Sequence, residues 1–405
     1  MRVLLSAYAC EPNKGSEPEV GWQRALSMTK LVDEVWVLTR SNNQAVIDAD
    51  PLSHTPGLKF LYYDLPRWAL KLKKKAWFLP LYFILWQWGA YRLAARHHRD
   101  EPFNAVYHVT FVSMQSGSFM GRLGIPFVIG PIAGGERAPF RLRRGMPLRG
   151  KASELLRDLG ILFQRYSPLT LSAFASAEHI YVTTAETLRL VPPKWRSKTA
   201  VLLGVATHGH AVHDAERKPP DCPQFLYAGN LQYLKGVHLA IRALAQAKAE
   251  IPDATLTIVG GGYAEKWLRK LAIQRGMADA VKFAGRIPRN QLINSIGGYT
   301  ALVFPSLHDS GGFVVLEALS QGLPVVCLDL GGPGIIVNSS CGIVIPTAYA
   351  DEAQAVARIA SAMISLGTMT APALNRLSIG AITRANELSW ANLTERVASR
   401  AITSE

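Results

Sequence analysis

Two acids and a lysine carry the most chemical information in this sequence. In Phe304-Pro-Ser-Leu-His-Asp309-Ser-Gly-Gly-Phe-Val-Val-Leu-Glu317, a Gly-Gly pair lies between Asp309 and Glu317. An apolar strand is expected to end at Phe304, and a helix to begin near Gly312. Such a junction aims backbone N–H groups and the positive helix end at the mouth of a sheet, a seat for phosphate. Gly311 and Gly312 let a ligand approach the main chain closely. Asp309 falls in the loop and Glu317 about one turn inside the helix, so the two can reach different parts of one extended ligand. Lys235 follows an earlier strand, in Tyr227-Ala-Gly229-Asn230-Leu-Gln-Tyr-Leu-Lys235-Gly236. An ammonium at such a turn can meet phosphate oxygens. A third turn, Ile258-Val-Gly260-Gly-Gly262, is not a full GxGxxG because Glu265 stands at the last glycine position. That argues against a nicotinamide cofactor.

Each of these residues also has a plainer reading. Glu317 is a helix carboxylate, but its neighbours Val314, Val315, Leu316, Ala318 and Leu319 are apolar, so its charge needs a partner. Asp309 can cap the helix that follows it. Lys235 can be a solvated lysine at a helix start, where a cation is mildly unfavourable. Asp48-Ala-Asp50, followed by Pro51, reads as a chance acidic pair remote from any nucleotide-like loop.

Positioning these residues falls to short apolar runs that alternate with helical periodicity. The expected strands are Val3–Ala9, Glu34–Thr39, Lys59–Tyr63, Ala105–Val109, Pro126–Ile129 and Ile180–Thr184. A second set comprises Phe225–Ala228, Thr255–Val259, Val281–Ala284, Ala301–Phe304, Pro324–Leu328 and Gly342–Ile345. Continuous Val/Ile/Leu runs suit strands covered on both faces. The βαβα order occurs twice, which predicts two α/β domains with parallel sheets. The polar, Pro-rich stretch around His208, His210, His213 and Pro219-Pro220 reads as the linker between them.

Composition narrows the class. The 405 residues are 49% hydrophobic and 18% charged, which excludes wholesale disorder. Four dispersed cysteines, with no CxxC pair, fit neither a disulfide framework nor a zinc site, and a reducing compartment is expected. The apolar start is too short for a signal peptide and reads as a buried first strand. Net charge is +14, and two segments account for it: Arg67–Arg99 carries eight bases and no acid, and Arg137–Arg165 eight bases and two acids. These predict an anionic partner surface on the N-terminal half. Between Lys75 and Arg92 runs an uncharged, Trp-rich segment, Ala76–Tyr91, broken by Pro80. It is too short to span a bilayer. Two readings stand open for it, a membrane-interface segment and a buried core helix. No RNP, KH or zinc-finger pattern supports a nucleic-acid partner.

The order of these motifs resembles glycosyltransferase family 4, the retaining group 1 transferases of the GT-B fold. The resemblance is strongest from Phe225 to Ile345. There the Gly229…Lys235-Gly236 turn, Ile-Val-Gly-Gly-Gly, Phe283-Ala-Gly285-Arg286, Pro305-Ser306 and the Glu317-Ala…Gly322-Leu-Pro324 helix follow in family order. It implies two Rossmann-like parallel-sheet domains facing a central cleft, with a C-terminal helix crossing back to the first. The boundaries expected are 1–207 for the acceptor domain, 208–223 for the linker, 224–385 for the donor domain and 386–405 for the crossover helix.

The resemblance further implies site roles. Glu317 holds the nucleotide ribose, Asp309 stands by the donor sugar, and Lys235 binds the diphosphate. The backbone at Gly311, Gly312, Phe313 and Val314 meets donor phosphate and sugar, with Gly229, Asn230 and Gly260 in the neighbouring turns. Arg286 and Ile287 lie where the base is held. In the N-terminal half, Gly15 closes over the diphosphate and His108, in Val106-Tyr-His108-Val-Thr, faces the reacting sugar. A satisfied core histidine is the other reading of His108. Gly134, Gly135 and Glu136 are acceptor-side candidates or a simple turn. Two positions depart from the family pattern: Asp309 replaces the usual Glu, and Asn230 replaces an Arg.

These residues imply a transferase that moves a sugar from a UDP- or GDP-linked donor to an acceptor hydroxyl with retention, without a cofactor or metal. The expected acceptor is a lipid-linked or polysaccharide-precursor glycan at the inner face of the cytoplasmic membrane. A sugar-nucleotide epimerase of the same fold and a non-catalytic, membrane-associated assembly factor are the alternatives.

Overall fold

In a computed structural model, described for residues 1–73, 78–164, 167–209 and 220–401, the apolar runs form two parallel sheets. The first contains β1 (Arg2–Ser6), β2 (Glu34–Arg40), β3 (Leu58–Tyr63), β4 (Ala105–His108), β5 (Phe127–Ile132), β6 (His179–Val182) and β7 (Thr199–Val201). Their spatial order is β3-β2-β1-β4-β5-β6-β7, and every neighbouring pair is parallel. The second contains β8 (Gln224–Ala228), β9 (Thr255–Val259), β10 (Val281–Gly285), β11 (Ala301–Phe304), β12 (Val325–Leu328) and β13 (Gly342–Ile345). Its order is β10-β9-β8-β11-β12-β13, again parallel throughout.

Both sheets reverse their strand order once, between β1 and β4 and between β8 and β11. At such a switch point the crossovers leave in opposite directions, and a crevice opens beyond the carboxyl ends of the strands. The first strand, Val3 to Leu5, is fully buried at the centre of its sheet. β7 has no counterpart among the expected strands; it is a three-residue edge strand.

The chain divides into two compact units: 1–135, 160–205 and 390–405 form one, and 136–159 with 206–389 the other. Segment 136–159 thus joins the second unit although it lies between strands of the first. Most of the linker expected at 208–223, including His210 and His213, lies outside the described residues, as do 74–77 of the first basic segment.

Helix Leu79–Asp100 resolves the Trp-rich segment on one face. Tyr82, Phe83, Trp86, Ala90 and Ala94 are buried in the core of the first unit, where Tyr8 meets Phe83 and Trp86 edge-on. Trp88, on the other face, is half-covered by Phe119 and Arg122. No described helix is long and apolar enough to cross a membrane. Asp50 caps a short turn through the Leu52 amide, and Asp48 accepts a hydrogen bond from the Tyr62 hydroxyl, so this acidic pair is held by local structure.

Candidate functional site

The switch point of the second sheet gathers the residues singled out by spacing. The loop after β8 ends in a single turn, Tyr233–Lys235, and the loop after β11 runs into helix Phe313–Ser320. The two loops touch through Gly236. Its φ is +68°, and a Cβ there would stand 1.9 Å from the Pro305 carbonyl oxygen, so only glycine fits. The Leu307 amide also donates to the Leu234 carbonyl at 2.9 Å.

This contact sets Lys235 against Asp309. Lys235 Nζ lies 2.6 Å from Asp309 Oδ2 and donates to the His308 carbonyl at 3.3 Å. The other carboxylate oxygen, Oδ1, accepts from the Gly311 and Gly312 amides, both at 3.0 Å. Asp309 therefore does what a bound anion would do: it neutralises the lysine and occupies two amides before the helix. The amides of Phe313 and Val314 lie in the first turn, where no i−4 acceptor exists within the helix.

Glu317 sits one turn further on, with its carboxylate 2.5 Å from Arg289 Nε. The acid is mostly buried and the arginine half-exposed, at 16% and 46%. Arg289 is thus the partner that the apolar flanks of Glu317 demand. Sequence reading missed it, since an ion pair between separate helices leaves no mark on local spacing. His308 was missed as well. Burial holds its imidazole below the usual value, Arg157 and Lys235 add to this, and Glu136 and Asp309 oppose it.

Beside this centre, the turns after β8 and β9 pack backbone to backbone. A Cβ on Gly260, at φ +138°, would fall 1.9 Å from the Gly229 carbonyl oxygen. Asn230 is exposed, and its carbonyl accepts from the Tyr227 hydroxyl. Arg286 follows β10 and lies over the Gly261 backbone, while the adjacent Ile287 is half-buried.

The first unit presents its own switch point. His108 ends β4 in register with Ser6 at the end of β1, and its Nδ1 is 2.9 Å from Ser6 Oγ. The ring is fully buried, and Nε2 has no hydrogen-bond partner among the described residues. Burial pushes this imidazole down to about 4, so it is neutral at physiological pH. Gly15, at φ +69°, caps helix Ser16–Met28 from the loop after β1, with open space around the position of a Cβ. Glu17 in that helix accepts from the Phe111 amide at 2.7 Å, and burial raises its carboxyl. Gly135 donates to Thr187 Oγ1 at 3.1 Å within the first unit, next to Gly134, whereas the buried Glu136 begins the segment that joins the second.

Comparison with known families bears on the second unit. Residues 211–367 match the model of the glycosyl transferases group 1. The C-terminal domain resembles a group 1 glycosyl transferase domain. Curated relatives include a glycogen synthase of Mycobacterium tuberculosis, 37% identical over 32% of this chain and 32% of its own. A D-inositol 3-phosphate glycosyltransferase of Acidothermus cellulolyticus is 30% identical over 54% of this chain and 48% of its own. A GDP-mannose-dependent monoacylated alpha-(1-6)-phosphatidylinositol monomannoside mannosyltransferase of Corynebacterium glutamicum is 32% identical over 40% of this chain and 42% of its own. The matches span about a third to a half of these relatives. Over the whole chain, the fold is that of the GT-B glycosyltransferases. A sucrose-phosphate synthase of Thermosynechococcus elongatus superposes with a TM-score of 0.62 at 18% identity, covering 98% of this chain and 97% of its own. The lipopolysaccharide glycosyltransferase WaaG superposes with 0.58 at 16% identity, covering 99% and 100%.

Proposed function

We propose that the protein transfers a sugar from a nucleoside diphosphate sugar to an acceptor hydroxyl, with retention at the anomeric carbon. The observation that carries this reading is the Lys235–Asp309 pair, set beside the first-turn amides of Phe313 and Val314 at the switch point of the group 1 domain. The site offers the Lys235 ammonium and the amides at the start of the helix, and the anion that now engages them, Asp309, is a carboxylate that an incoming ligand can displace. A diphosphate carries more negative charge than Asp309 and so draws Lys235 away from it. Asp309 Oδ2 is then free for a sugar hydroxyl, while Glu317, held by Arg289, accepts from the ribose hydroxyls. Arg286 and Ile287 flank the base.

In the transfer step, the bond between the anomeric carbon and the diphosphate oxygen breaks. A bond to the acceptor oxygen forms on the same face, and the acceptor proton passes to the leaving diphosphate. Lys235 and the helix N-terminus stabilise the charge that develops there. The N-terminal unit, which carries the neutral His108 and the Gly15 loop, receives the acceptor. The acceptor is a lipid-linked or polysaccharide-precursor glycan at a membrane surface. Supporting this are the two basic segments, the phosphatidylinositol-linked acceptor in the name of the Corynebacterium relative and the lipopolysaccharide role of WaaG.

Incubation with a panel of UDP- and GDP-sugars, with and without glycolipid extracts, tests the reading. Sugar should move to lipid only when both substrates are present. Turnover of the donor alone at the same rate would instead mark an epimerase or hydrolase.

A further inference from the structure

Helix Leu148–Gln164 is amphipathic in the reverse sense to an ordinary surface helix. Leu148, Ala152, Leu155, Leu156, Leu159 and Phe163 recur at helical spacing and form one stripe. All of them are exposed, with Leu148 at 82%, Leu156 at 70% and Phe163 at 77%. The polar side faces inward instead. Glu154 is buried and pairs with Arg157 at 3.6 Å, and Asp158 pairs with Arg143 at 2.8 Å. Ile161 is buried on that side, and Gly150 lies so close to Tyr233 that a Cβ would meet its ring at 2.9 Å. The protein thus buries charge on one face of this helix and leaves leucines in water on the other. A stripe of this size marks an interaction surface.

Charge identifies the occupant. The exposed Arg149 and Lys151 flank the stripe on its two sides, and Phe140 and Arg141, in the short turn before the helix, are exposed as well. Both acids of the helix are engaged in ion pairs on the inner face. A second copy of this chain meeting the stripe about a twofold axis would bring like charges together. Anionic headgroups above an apolar layer match both the stripe and its rim.

We propose that helix Leu148–Gln164 docks on an anionic phospholipid bilayer, with Leu148, Leu155, Leu156, Leu159 and Phe163 in the acyl boundary and Arg149 and Lys151 at the phosphates. The helix sits on Tyr233, two residues before Lys235, so docking fixes the donor loop to the lipid surface. This inference rests on the membrane part of the proposed function and moves the contact away from the Trp-rich helix Leu79–Asp100, whose aromatic residues Tyr82, Phe83 and Trp86 are in the core.

The test is vesicle flotation of the full chain on phosphatidylcholine with and without phosphatidylglycerol. Wild type should float only with the anionic vesicles. Combined Leu155→Ser, Leu156→Ser and Leu159→Ser should lower partitioning at least ~30-fold. Arg149→Glu with Lys151→Glu should lower it at least ~10-fold. Leu81→Ser, Leu85→Ser and Trp88→Ser together should leave it within about twofold, since the anchor lies elsewhere. Calorimetry with UDP and GDP reports that each variant is folded, because the stripe does not touch the donor site. If wild type floats and the leucine variant floats equally well, this inference is overturned while the membrane reading stands. If wild type binds no vesicle, both fall. If the leucine variant changes oligomeric state in place of flotation, a protein partner replaces the bilayer.

Discussion

In the proposed function, donor recognition rests on Lys235 and Glu317. Lys235 is the cation set beside the helix N-terminus, and Glu317 is a mostly buried carboxylate held in place by Arg289. Lys235→Ala and Glu317→Ala should each lower turnover at least ~100-fold, the scale of a lost charge-stabilising group. Steady-state rates with the preferred donor check this, and a wild-type rate in either variant removes that residue from the mechanism. His108 makes a second residue-level prediction. Its imidazole sits at about 4 in the fold and near its ordinary value, about 6.5, when unfolded. As pH falls below about 6.5, the unfolded chain therefore takes up the proton first, and stability is lost until the folded imidazole titrates near pH 4. The loss is on the order of 3 kcal/mol. His238, also fully buried, is pushed down to about 3 by burial and then by Arg242, and it adds to the same acid sensitivity. Denaturant unfolding of wild type and His108→Gln between pH 7 and pH 4 should show a shallower pH slope in the variant. Identical slopes would contradict the depressed imidazole.

Two loops held at contact distance position that chemistry. Gly236→Ala places a Cβ against the Pro305 carbonyl and a left-handed φ on alanine. The loops must separate, which carries Lys235 away from Asp309. The expected cost is about 1–2 kcal/mol for the backbone conformation alone. Nucleotide affinity should fall at the same time, as read by calorimetry. Unchanged affinity would show that the loop contact does not position the lysine. At this scale the sequence was informative about pattern and silent about direction. The glycines around Asp309 and the strand before them located the helix start and its acid, because both are local signals. The Arg289 partner of Glu317 joins separate helices, and the edge strand β7 is three residues long; neither imposes a local pattern. The charge count marked segment Arg137–Arg165, yet the leucine stripe within it went unread. Periodicity says which residues share a face, but tertiary packing decides whether that face points inward.

Across the whole molecule, the chain passes between its two units more than once. Helix Trp390–Ala401 belongs to the first unit, although the chain before it belongs to the second. Trp390 is buried there with the Arg24 guanidinium over its ring, and Arg24 donates to Thr394 Oγ1 at 3.1 Å. Trp390→Ala should destabilise the first unit by about 3–5 kcal/mol. Donor binding by the second unit should be unchanged. Denaturant unfolding followed alongside UDP or GDP calorimetry separates the two effects; loss of binding in the folded variant would mean that the units do not act independently. The resemblance anticipated a terminal helix crossing back. It gave no sign that segment 136–159 joins the second unit, since an α-helical crossover between two strands reads the same whichever body it packs on.

The roles given to Lys235, Asp309 and Glu317 depend on where the diphosphate sits. A crystal structure with a nucleoside diphosphate sugar measures this directly. Diphosphate oxygens are expected within about 3 Å of Lys235 Nζ and the Phe313 and Val314 amides, with the Lys235–Asp309 ion pair broken. Diphosphate density elsewhere, with that pair intact, would contradict these roles.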